Sequence, residues 1–172
     1  MKLPNRIKTL LASIIISTVC CICSANEKEF MHARILQRDG KYDEAILAFK
    51  ACLSQDVAGD DVSPEQMFIY TESLIQLMNS YQSKGEPEAC ISTLQEIHET
   101  SPAIQKYCLR DFYSVMGYAL SRTERMKEAE DMTLRVFSLP LHHSTPERLF
   151  RDYAYAAAVF YSNPDYQQEL VT

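Results

Sequence analysis

The sequence predicts an all-α fold of antiparallel helix pairs repeated along the chain. Three observations carry that prediction. Pairs of mostly small residues recur 12 positions apart, at Ala33/Ala45, Met78/Cys90 and Gly117/Ala129, and crossing helices approach closely where side chains are small. Ser63-Pro64, Ser101-Pro102 and Thr145-Pro146 each precede a long helical pattern. A hydroxyl N-cap followed by proline at the first helical position is a start signal. No stretch sustains the period-two alternation of a half-buried strand.

Taken in order, the pattern predicts helices over 27–38, 43–54, 65–84, 87–99, 103–122, 125–138 and 146–162, and another from 164 onward. Gly40 stands where the first helix must stop, and glycine accepts a left-handed backbone there at little cost. Gln66, three residues after Ser63, has the spacing of a capping box. Asp56 to Asp61, with Gly59 inside it, reads as a solvated loop; a calcium loop would need different spacing and a terminal glutamate. Met78 is large for a crossing position, so its helix pair should be splayed or shifted. A fourth pair, Ala157/Glu169, has Tyr153, Phe160 and Tyr166 around it, but Glu169 departs from the small-residue rule. Tyr153, Tyr155, Phe160 and Tyr161 should face an end with nothing obvious to cover them.

Within 33–52, Ala33, Leu36, Gly40, Tyr42, Ala45 and Phe49 follow one another at fixed spacing: small, large apolar, glycine, aromatic, small, aromatic. This segment resembles the tetratricopeptide repeat (TPR), a helix-turn-helix unit. The resemblance covers about residues 27–170 and implies a right-handed α-solenoid of about three and a half repeats. The three hydroxyl–proline prolines lie 38 and 44 residues apart, longer than the family norm of about 34. In such proteins the first helix of each repeat lines a concave groove that holds a peptide or protein partner. The resemblance puts Arg34 and Arg38, then Ile75, Asn79 and Gln82, then Ser114, Tyr118 and Arg122 in that groove. Ala154, Ala158 and Tyr161 follow from the fourth unit. Arginine forks, amides and tyrosine rings suit peptide recognition.

Residues 1–25 read as a secretory signal peptide: Lys2, Arg6 and Lys8, then an uncharged run from Leu10 to Cys23, then Cys23-Ser24-Ala25 before Asn26. The uncharged run is shorter than the roughly 20 residues of a membrane span. Acylation at Cys20 is a second reading, set against the bulk of Val19. The chain from 26 to 172 then forms one TPR-like domain, expected to be incomplete at its C-terminus and to lie outside the cytoplasm, in the periplasm. With Lys2, Arg6 and Lys8 removed, 14 basic side chains face 23 acidic ones, a net charge of −9. A surface so acidic argues against nucleic acid and anionic lipid as partners.

No catalytic constellation is present. The chain has four glycines and no phosphate-binding loop, zinc-protease or nucleophile-elbow motif. His142-His143 falls in a connection, His32 and His98 are isolated, and Glu128, Glu130 and Asp131 form a charged helix face. Cys52, Cys90 and Cys108 remain after the signal, an odd number that cannot all pair internally; Cys52 and Cys90 fall on inward-facing helix positions and read as buried free thiols, a disulfide between two of the three is the alternative, and none has metal-ligand spacing. The expectation is a binding protein without catalytic, cofactor or metal residues. A signal peptide ahead of long repeats also resembles, in architecture, the extracytoplasmic N-terminal region of TPR-containing two-component sensor histidine kinases. The alternative is a free-standing periplasmic adaptor, assembly factor or lipoprotein. Self-association through the C-terminal end is a further expectation.

Overall fold

The computed structural model describes residues 26–54, 62–140 and 145–163. The expected signal peptide, the aspartate-rich loop, His142-His143 and the helix from 164 onward lie outside the described residues. All regular structure among the described residues is helical. Helix α1 covers 26–38. It is followed by α2 (Tyr42–Leu53), α3 (Pro64–Lys84), α4 (Pro87–Thr100), α5 (Pro102–Tyr107), α6 (Leu109–Leu120), α7 (Met126–Ser138) and α8 (Pro146–Ser162).

Local signals punctuate these helices. Gly40 and Gly85 have φ of 76° and 73°. After Gly40 the amide of Lys41 donates to Leu36 O at 2.9 Å, and after Gly85 the amide of Glu86 donates to Tyr81 O at 3.0 Å. Both are the six-to-one closure of a Schellman ending, so α1 and α3 stop by the same device. Ser63 and Thr145 cap α3 and α8, accepting from the amides of Gln66 and Arg148 at 3.2 and 3.3 Å. Two expectations fail here. The Gln66 side chain donates to Tyr70 Oη at 3.3 Å, not back to the cap. The Ser101 hydroxyl caps nothing; buried, it donates to Leu53 O at 3.0 Å and ties the end of α2 to the start of α5.

Each helix packs on its neighbour, α2 on α3, α3 on α4, α4 on α6, α6 on α7 and α7 on α8. Alternate helices also meet, α3 with α6 and α6 with α8. Helix α1 joins the same arrangement: the Phe30 and Phe49 rings are 6.1 Å apart, and Gln37 Nε2 donates to Gln76 O and Ser80 Oγ, both at 3.0 Å. Ala33, Ala45, Phe49, Leu74, Leu94, Val115 and Ala129 are fully buried in the core. Met78 and Cys90 are both 1% exposed and belong to the core. At the third crossing a Cβ on Gly117 would lie 3.1 Å from Thr133 Oγ1 and 3.2 Å from the backbone oxygen of Ala129.

The expected helix over 103–122 is broken at Cys108, whose φ of −122° and ψ of 20° leave the helical region. The break separates a short α5 from α6 and re-aims Arg110 and Asp111 toward α7 and α8. Cys52, Cys90 and Cys108 are free and buried. Burial pushes their thiols up from 9.0 to about 11, about 12 and about 12 respectively.

Gly117→Val is expected to cost about 2–3 kcal/mol through overpacking against a backbone oxygen that cannot turn away, read from urea unfolding. The raised thiols make a second expectation. The folded chain holds its thiol protons more tightly than the unfolded chain, so this stabilisation is present below pH 9.0 and is lost as pH rises toward about 12. Unfolding midpoints should fall over that window. Alkylation of the three cysteines at neutral pH should proceed only at the rate of unfolding.

Candidate ligand-binding cleft between α3, α5 and α8

A cleft of about 900 Å³ opens between the first half of α3, the end of α5 and the start of α8. Its apolar wall is Val62, Met67, Phe68 and Tyr107; its polar wall is Lys106, Arg148, Arg151, Glu72 and Glu147. Phe68 is 59% exposed there, and the Lys106 ammonium stands 4.9 Å from the centre of the Tyr107 ring.

Behind the polar wall lies a buried ion cluster. Asp111 on α6 is 3% exposed. Its carboxylate accepts from both Arg148 and Arg151 of α8, with the Arg148 Nε to Oδ1 contact at 3.2 Å. A second arm of Arg148 reaches Thr71 Oγ1 on α3 at 2.9 Å, so one guanidinium ties α3, α6 and α8 together. Thr71 in turn points its hydroxyl at Cys108 Sγ, 4.0 Å away. Burial lowers the proton affinity of Arg148, but the hydrogen bonds and charge of Asp111 outweigh that and raise it. Beside this cluster Arg110 Nε donates to Asp152 Oδ2 at 2.7 Å, and Arg110 Nη1 donates to Val136 O at 2.7 Å and Leu139 O at 3.2 Å. Arg110 therefore adds a donor to the carbonyls at the end of α7, where Val136 O also accepts from the Leu139 amide at 3.4 Å.

The eight residues expected to line a groove are only partly brought to an open surface. Arg34 and Arg38 on α1 are exposed; Arg34 lies 4.0 Å from Glu72 at the cleft edge, whereas Arg38 contacts its neighbour Asp39. Asn79 is half-buried and donates to Gln76 Oε1 at 3.4 Å. Gln82 is half-buried in the last turn of α3, and Arg122 is exposed in the turn after α6. Ile75 and Ser114 are 8% and 3% exposed and are packing residues, which corrects their placement on a groove. Neighbouring helices close over them. Tyr118 stacks on Tyr155 with ring centres 4.6 Å apart. Tyr155, expected at an uncovered end, is instead half-buried, and burial raises its phenol.

The cleft residues Thr71, Lys106, Tyr107, Arg148 and Arg151 were not anticipated. One signal was legible: Asp111 is the lone acid in the apolar run Leu109–Leu120, and a carboxylate among core residues demands a cationic partner. The partners themselves, 37 and 40 residues away, have no local signature. Among the described residues no group of three or more His, Cys, Asp or Glu side chains could hold a metal ion. None of their helices is long and apolar enough to cross a membrane.

Asp111→Asn leaves two guanidiniums sharing a neutral acceptor in a water-poor site. The expected loss is about 3 kcal/mol or more, the range for removing one partner of a buried pair, measured by denaturant unfolding. Glu128→Gln, which breaks the exposed pair with Arg125, should leave the midpoint unchanged. Comparison of the chain with family models, with curated proteins and with solved structures finds no match.

Proposed function

We propose that the chain is an extracytoplasmic TPR-like interaction or sensory domain, a right-handed α-solenoid of about three and a half repeats. In this reading it is the N-terminal part of a sensor kinase or similar membrane regulator and binds a peptide or protein partner in the cleft between α3, α5 and α8. Support for the solenoid comes from the packing of successive and alternate helices and from the shared glycine endings of α1 and α3.

The observation that carries the binding reading is the composition of the cleft. Phe68, Met67 and Val62 offer an open apolar wall facing Lys106, Arg148 and Arg151. In and behind the cleft, Arg34, Lys106, Arg110, Arg148 and Arg151 face Glu72, Asp111, Glu147 and Asp152, five cations to four anions. That local excess sits in a chain of formal charge −6. The matching ligand is an extended segment with an aromatic or aliphatic side chain beside a carboxylate, the first packed on Phe68 and the second held by the basic wall.

A displayed peptide library panned against the chain should enrich such segments. Phe68→Ala and Lys106→Glu should each weaken the selected peptide at least tenfold, about 1.4 kcal/mol, with Arg38→Ala as an unaffected control. The basic contacts should also weaken with added salt. Failure to enrich any segment, or binding indifferent to both cleft substitutions, would sink the reading.

A further inference from the structure

Helix α8 is apolar on two faces. Asp152, Ala156 and Val159 turn inward and are buried. Phe150, Ala154, Ala157 and Tyr161, spaced three or four residues apart along the opposite face, are exposed, as is Tyr153 beside them. A helix apolar on both sides belongs between two neighbours; among the described residues α6 and α7 cover the inner side. Phe150, Tyr153 and Tyr161 are 77%, 62% and 73% exposed. Leu134 and Phe137 of α7 extend the same surface, 60% and 42% exposed, and the Phe137 and Tyr153 rings are 5.4 Å apart.

We infer that this α7–α8 face is the contact between two copies of the chain, formed by antiparallel crossing of α8 with its symmetry mate. Four residues of the stripe pair about the midpoint between Tyr155 and Ala156, while Tyr153 falls opposite Ala158. Phe150 falls opposite Tyr161 of the partner copy, and Ala154 falls opposite Ala157. A two-fold interface requires such self-complementarity, since each patch meets its own copy. Two alanines at the centre allow close approach, and the large rings at either end cover the partner's backbone.

Charge and area agree with a second copy as the occupant. From Tyr153 to Ser162 the helix carries no Asp, Glu, Lys or Arg, so two chains of formal charge −6 meet there without opposing like charges. At about 200 Å² for a fully exposed aromatic side chain, the five large residues present roughly 600 Å² per copy. The pair would bury about 1,200 Å², the lower end of stable specific interfaces. This inference does not depend on the ligand proposed for the cleft, which lies on other residues of α8.

Sedimentation of the whole chain across a concentration series is expected to pass from monomer to dimer. Ala157→Glu places a carboxylate at the point of closest approach and should raise the dissociation constant at least tenfold. Its position is exposed in the monomer, so circular dichroism and the unfolding midpoint should not move. Hydroxyl-radical labelling of Tyr153 and Tyr161 should fall as dimer forms. A monomer at all concentrations overturns the inference. So does protection of both tyrosines that is independent of concentration, because the face is then covered from within the chain by residues 164–172. A dimer insensitive to Ala157→Glu overturns it as well.

Discussion

Asp111 is a carboxylate held out of water, and the second half of the molecule is arranged around satisfying it. A charge at 3% exposure is tolerable only with partners of opposite sign and good geometry. Arg148 and Arg151 supply both from one face of α8, and Arg148 extends the same clamp to Thr71 on α3. Three helices distant in sequence are thereby fixed to a single point. The cleft is a consequence: its basic wall is the outer side of the two guanidiniums that Asp111 orients, and its apolar wall is the half of α3 that the clamp draws near.

The first half is held differently. Between α1, α2 and α3 the contacts are steric, with Ala33, Ala45 and Phe49 fully buried and a shared glycine ending that reverses the chain. Polar contributions there are few and local to the α1–α3 seam, chiefly Gln37 on Gln76 and Ser80. Surface ion pairs such as Lys84 with Asp43 and Glu86 raise the lysine's proton affinity, but exposed pairs of this kind add little to stability. The contrast between a packed end and an ion-clamped end explains why the cleft forms at α8 and not along the whole row of alternate helices.

Helix starts and stops were largely readable because they depend on hydrogen bonds spanning three to five residues. Ser63, Thr145, Gly40 and Gly85 behave as their types dictate. Ser101 is the instructive exception. Its hydroxyl had the same local invitation to cap, yet a buried carbonyl at Leu53 competes for it. The residues expected in a groove show the same limit: Ile75 and Ser114 lie on α3 and α6, but how closely those helices approach their neighbours decides burial, and spacing does not encode that distance.

The all-helical character and the burial of Cys52 and Cys90 were determined by residue type and periodicity alone, since apolar spacing dictates which face of a helix leaves water. The exposure of Tyr153 and Tyr161 on α8 was expected from the sequence, whereas the break at Cys108 and the partners of Asp111 were decided only in three dimensions. Each involves groups tens of residues apart, and the energy that selects them arises from desolvating a charge. No short window of sequence contains both sides of such an interaction.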